Sequence, residues 1–203
     1  MHAPAIVQLQ SLPGRVVKGV CDALFVETQP HPETKSVAEI VLDLQGIPGT
    51  RHYGFTRKAG PREPWYGRGM EMRSGRQITV ISREELSAIA AAMQVETIAP
   101  EWIGANIVTS GIPHLTLLPP GTRIAFADAT IVVEAPNAPC KIAGTAIARH
   151  LTPGAASGGL DLAFPAKAKG LRGVVASVER AGMIRAGEVI TVKVPPQTLW
   201  QSG

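Results

Sequence analysis

The sequence predicts a mainly β fold, a β-barrel carrying a few short helices. Three observations predict it. Short apolar runs rich in Val, Ile and Thr recur along the chain, 21 glycines and 17 prolines punctuate them, and only two segments have helical character in 203 residues. Strands this numerous with so few helices close into a barrel or a sandwich joined by turns.

Strands are expected over residues 36–44, 77–81, 122–126, 129–135, 173–178 and 188–194. The last alternates apolar and polar residues with period two, so one face is buried and the other wet. Ile131, Val132 and Val133 run apolar without alternation, as expected of a strand buried on both faces. Asp128-Ala129 and Ala181-Gly182 fit tight connections. Ser82-Arg-Glu-Glu85 reads as a capping box, with Ser82 as N-cap and Glu85 reaching back to it. Leu86, Ile89, Ala90 and Met93 then supply an apolar face at helical spacing. A second helix is expected over residues 142–151, directly after Cys140. Residues 57–75, with Pro61, Pro64 and four glycines, form the longest stretch without periodicity. Such a stretch reads either as a mobile loop over a site or as surface slack. With neither an internal repeat nor a low-complexity linker, the chain reads as one domain over residues 1–203.

Composition narrows the functional classes. Hydrophobic residues make up 45% and charged residues 18%, the balance of a globular protein with a core. The apolar runs fall short of the ~20 residues that a membrane-spanning helix needs. Residues 1–14 lack the basic start and apolar stretch of a secretory signal, so cytoplasmic residence and no membrane partner are expected. Two cysteines, Cys21 and Cys140, fit a reducing compartment better than a disulfide scaffold. An iron–sulfur cluster usually takes four cysteines, twice the number available here. His2, His31, His52, His114 and His150 are too scattered for a structural zinc site.

The net charge is +4, unevenly spread: residues 51–76 carry seven Lys/Arg against two acids. Residues 141–173 carry five (Lys141, Arg149, Lys167, Lys169 and Arg172) against Asp161 alone. These segments are either two solvated loops or two arms converging on an anionic ligand, since arginine forks match phosphate geometry. Nucleic acid is the weaker candidate partner, because aromatic residues are only 4% and no helix reads as a basic stripe.

Four stretches in order resemble the MOSC family, the domain found at the C-terminus of molybdenum-cofactor sulfurases. Gly46-Ile-Pro-Gly-Thr-Arg-His-Tyr-Gly54 is similar to the family's G-x-x-G-D-x-H-x-G. Residues 77–86 follow as a strand running into a capped helix, and then Gly104-Ala-Asn106 to Ile112 with Leu118-Pro-Pro-Gly121. Asn137-Ala-Pro-Cys140 is the fourth, followed by Gly170-Leu-Arg-Gly-Val174 and Gly182-Met-Ile-Arg-Ala-Gly187. Together they span about residues 40–194. Two departures stand out: Thr50 replaces the aspartate of the first motif, and Ala105 precedes Asn106 where many relatives carry Glu or Arg.

Cys140 is the expected chemical centre. A thiolate is a soft metal ligand and a strong nucleophile, and adjacent Lys141 and the dipole of the following helix would favour it. The alternative is a small buried hydrophobe; the resemblance favours the reactive reading, because MOSC domains carry their reactive cysteine at this position. Cys21 lacks such surroundings and reads as structural. Arg51 and His52 lie in a glycine-flanked turn, where His52 either orients a ligand or is a satisfied turn histidine. Asn106 either caps a turn or bonds a heterocycle edge. Arg172 either clamps a phosphate or makes a surface ion pair, and Lys141 and Lys169 are the remaining candidate cofactor contacts.

The resemblance implies a molybdenum–molybdopterin cofactor, with the thiol as metal ligand or persulfide carrier, and the cofactor phosphate as the target of the basic segments. Some MOSC proteins reduce N-hydroxylated small molecules by oxygen-atom removal. Electrons would then come from a separate reductase, and any persulfide from an external donor such as a cysteine desulfurase. The alternatives are a sulfur carrier or cofactor-binding module without turnover, and a degenerate barrel used for protein interaction.

Overall fold

The computed structural model describes residues 10–29, 31–154 and 158–199. His2 and most of the leader-free stretch expected at residues 1–14 lie outside the described residues. Seven strands build the centre: β1 (Arg15–Glu27), β2 (Ile78–Ser82), β3 (Ile107–Ser110), β4 (Arg123–Ala125), β5 (Thr130–Pro136), β6 (Val174–Arg180) and β7 (Val189–Val194). Around the wall they run β7, β4, β5, β6, β2, β3, β1, and β1 pairs back onto β7 to close the barrel. Closure leaves this ring without a free edge. Its neighbours are antiparallel except β2 and β3, which run parallel. A parallel pair needs a crossover, supplied here by α1 (Arg83–Ala92).

The interior is filled by alternate residues of the strands, among them Leu24, Ile78, Val80, Ile107, Ile124, Ile131, Val133, Val174, Ile190 and Val192. A second apolar layer lies outside one wall. There Leu86, Ile89, Ala90 and Met93 of α1 meet Phe25, Ile81 and Val108 of the strands. Ala143 and Ile147 of α2 (Lys141–Leu151) and Phe164 of α3 (Leu160–Lys167) complete it. Gly144 allows α2 and α3 to touch, because a Cβ there would stand 2.3 Å from the Asp161 carbonyl oxygen. Short strands decorate the barrel: Thr34–Val37 pairs with β1, and Glu39–Leu42 with Gly182–Arg185.

The architecture is the expected one, with corrections in detail. The strand anticipated at 36–44 breaks at Ala38, whose carbonyl accepts from the Ala186 N–H at 2.9 Å. Val132 is only half-buried, so β5 alternates after all, its outer face lying open to solvent where no helix covers it. Ser82 does cap α1, accepting from the Glu85 N–H at 3.2 Å. Glu85 does not reach back; its carboxylate takes the N–H and hydroxyl of Thr116 at 2.9 and 2.6 Å. The irregular stretch at 57–75 contains a two-stranded ribbon, Thr56–Lys58 against Glu71–Arg73. The sequence patterns predict neither strand β1 nor strand β3 nor helix α3.

Candidate functional site

The backbone brings the two basic segments to one place. Cys140 is the N-cap of α2, with an extended backbone (φ −141°, ψ 159°) and no cap hydrogen bond from its side chain. Its half-buried sulfur is therefore uncommitted beside the positive end of a helix of 11 residues. Three contacts hold the loop before it. The Asn137 N–H donates to the Gly173 carbonyl at 2.8 Å, Arg62 Nη2 to the Ala138 carbonyl at 3.1 Å, and Arg76 Nη2 to Asn137 Oδ1 at 3.3 Å.

Arg172 forms the inner wall. Gly173 beside it has φ +76°, and a Cβ there would meet the Val80 carbonyl oxygen at 2.0 Å, so only glycine lets this segment lie against β2. Its N–H donates to Thr116 Oγ1 at 2.7 Å, the same threonine that Glu85 holds. Arg172 is 6% exposed. Its Nη2 donates to the Ile103 carbonyl, while its Nη1 is buried without a hydrogen-bond partner. Burial pushes its guanidinium down to about 10, Arg62 and Arg76 push the same way, and Cys140 opposes them. Arg76 is likewise pushed down to about 10, by burial first and then by Arg62 and Arg57, with Glu63 and Cys140 opposing. Cys140 thus lies close enough to both guanidiniums for a thiolate to stabilise their charge.

These groups line a cleft of about 380 Å³, together with His31, Arg51, His52, Arg57 and Arg62. Its one lining carboxylate, Glu63, is paired to Arg57 at 2.6 Å and held at about 2 by that hydrogen bond. His52 keeps an exposed edge, yet partial burial and then Arg51 and Arg76 hold its imidazole below the usual histidine range. His31 is lowered too, by burial and Arg51, against Glu27 at 3.5 Å.

Of the expected contacts, Arg51, His52, Cys140 and Arg172 converge. Three do not. Lys141 points away and pairs with Asp161 at 3.5 Å, because the first turn of α2 turns its side chain toward α3. Lys169 is exposed beyond the end of α3 and stands off the cleft. Asn106 is committed to the backbone, its Oδ1 accepting from Thr79 N–H at 2.9 Å and its Nδ2 donating to the Phe25 carbonyl at 3.4 Å. It fastens β1 to β2 and borders a smaller adjoining cavity. His31, Arg57, Arg62 and Arg76 were not singled out. The basic character of residues 51–76 is the only signal for the three arginines, nothing in the spacing says which of them turn inward, and His31 has no signal of its own.

The fold and site define a closed barrel that places a cysteine, at the N-cap position of a helix, in an arginine-lined cleft. The MOSC domain model matches residues 49–191, and the chain belongs to that family. The Bacillus subtilis (strain 168) protein named "Putative metal-sulfur cluster biosynthesis proteins YuaD" is 41% identical over 174 residues, covering 84% of this chain and 88% of the relative. The crystal structure of the YuaD protein from Bacillus subtilis superposes with a TM-score of 0.84 at 38% identity, over 89% of this chain and 98% of that one. YiiM from Geobacillus stearothermophilus, 16% identical, has a TM-score of 0.54 over 90% of this chain and 75% of its own, a likeness of fold alone.

Proposed function

We propose that this MOSC protein binds a molybdenum–pterin cofactor through Cys140 and reduces N-hydroxylated small molecules in the cytoplasm. The observation that carries the reading is Arg172: a buried guanidinium with an unpartnered Nη1, beside an uncommitted sulfur. A buried donor left unsatisfied costs about 1–3 kcal/mol, and an anionic ligand removes that cost. Among the described residues no three His, Cys, Asp or Glu side chains gather as a metal site. A metal at Cys140 would therefore take its other ligands from the cofactor, which fits a group that carries its own sulfur ligands. Arg172, Arg76 and Arg62 would hold the cofactor's anionic end, with Cys140 as the one protein ligand.

When bound, the cofactor would supply the two-electron exchange that removes an oxygen atom from the substrate. Reduction of an N-hydroxyl group takes two electrons and two protons and releases water. The electrons would come from a separate donor protein. His52, its proton affinity lowered, lines the cleft as a group able to relay one proton.

The test is elemental analysis of protein purified from a cofactor-competent host. Molybdenum near one atom per chain in the wild type, falling at least tenfold in Cys140→Ala, is the expected result; equal metal in both ends this reading. A second reading, a sulfur carrier without turnover, is favoured by the name of the YuaD relative and by the openness of the Cys140 sulfur. It predicts a mass increase of one sulfur on Cys140 after incubation with a cysteine desulfurase and cysteine.

A further inference from the structure

A larger hollow adjoins the Cys140 cleft and has no part in the reading above. It is a basin of about 790 Å³ between the Thr56–Lys58/Glu71–Arg73 ribbon and β5, and it shares Arg62 and Arg76 with the cleft. Trp65 (71% exposed) and Tyr66 (45% exposed) form one wall, with Met70 beside them. Their rings are 6.2 Å apart and tilted by 59°, an angled wall rather than a closed stack. Pro136 contributes an apolar patch opposite. Large aromatic side chains gathered in a hollow, rather than scattered singly, mark a place where apolar or planar groups are received.

The charges around the basin are matched with three exceptions: Arg62, Arg76 and Glu71, whose carboxylate accepts only the Thr56 hydroxyl at 2.7 Å. Arg57 is paired with Glu63 at 2.6 Å, and Arg73 is bidentate on Glu134 at 2.7 and 2.5 Å. Arg62 and Arg76 meet only carbonyl oxygens, those of Ala138 and the Asn137 side chain, and among the described residues neither has an ion pair. Arg76 is half-buried, which leaves its charge poorly solvated, and the nearby Glu63 carboxylate is already paired to Arg57. Two guanidiniums without an ion pair among the described residues therefore stand on the ridge between a thiol cleft and an aromatic wall.

We propose that this basin is a second binding compartment, taking the planar ring of a heteroaryl phosphate, of the nucleoside-monophosphate class, whose anionic end sits on Arg62 and Arg76. Arginine forks engage phosphate oxygens in pairs, and a tryptophan face accepts any planar heterocycle. The site needs no metal and no reaction at Cys140, but it shares Arg62 and Arg76 with the proposed cofactor, so the two ligands compete there and the test uses protein from a host without the cofactor.

Isothermal titration calorimetry of the full chain with adenosine monophosphate, adenosine and inorganic phosphate tests it. The nucleotide is expected to bind at least tenfold more tightly than either fragment, because only it engages the ring wall and the arginines together. Trp65→Ala should weaken the nucleotide roughly tenfold or more, the effect of removing a stacking platform, and Trp65→Phe should restore affinity to within about threefold. Cys140→Ala should bind the nucleotide as the wild type does. No binding at several millimolar, phosphate equal to the nucleotide, or Trp65→Ala unchanged would each overturn the proposal. Loss of binding in Cys140→Ala would assign the ligand to the cleft and overturn it equally.

Discussion

Cys21 lies on β1 with its side chain wholly enclosed by the barrel, whereas Cys140 stands half-buried at the start of α2. Burial, reinforced by Glu188 and Asp22, pushes the Cys21 thiol up to about 12. Around Cys140 the nearby charges are the guanidiniums of Arg76 and Arg172, and the helix begins at its own carbonyl. One cysteine fills space and the other lines an open cleft. The difference teaches that reactivity is set by the environment the fold builds, since the side chain is the same.

The sharpest way to break the comparison is alkylation of the native protein with iodoacetamide at pH 7.5, read by peptide mass spectrometry. Cys140 should react at least about a thousandfold faster than Cys21, because a thiol held near 12 is almost wholly protonated at that pH and is also enclosed. Comparable rates would remove the distinction.

Next in size is the response to phosphate in protein from a host without the cofactor. A millimolar site at tenfold excess of ligand adds about 1.4 kcal/mol and raises the melting temperature by roughly 3–6 °C. The wild type should show that rise and Arg172→Met should lose most of it while remaining folded; an equal rise in both would separate Arg172 from anion binding.

Stability distinguishes the cysteines in the opposite sense. Cys21→Ala should cost about 1 kcal/mol in urea unfolding, the loss of one buried heavy atom and the gap it leaves. Cys140→Ala, at a partly open position, should stay within about 0.5 kcal/mol of the wild type. If Cys140 proved the costlier deletion, its role would be packing.

A further contrast concerns pH. Glu63 is held at about 2, below the ordinary 4.5, so it binds fewer protons folded than unfolded. The stability it contributes is complete above about pH 4.5 and is lost as pH falls toward 2. Glu63→Gln should flatten that part of the unfolding-versus-pH curve and leave the part above pH 6 parallel to the wild type.

Much of the barrel was legible because its strands obey simple patterns. Val189–Val194 alternates cleanly, and the turn residues that bound β5 and β6 lie where expected. Strand β1 escaped notice although it is the longest, at 13 residues. Lys18, Gly19 and Asp22 interrupt its apolar run, and an irregularity between Cys21 and Ala23 resets the alternation. Helix α3 was hidden by Pro165 within its eight residues and by Gly159 in place of a polar cap.

What the sequence determined by itself was local: periodicity, the Ser82 cap, the cysteine at a helix start, and the concentration of arginine in residues 51–76. Only the tertiary structure decided which charges face the sulfur. Lys141 is the neighbour of Cys140 in the chain and turns away to Asp161, while Arg62, Arg76 and Arg172 come to it from the loop of the ribbon, the segment before β2 and the segment before β6. Helix geometry swings adjacent side chains to different faces, whereas barrel closure brings distant segments to one rim, so a charge's place in the chain does not reveal its place around the thiol.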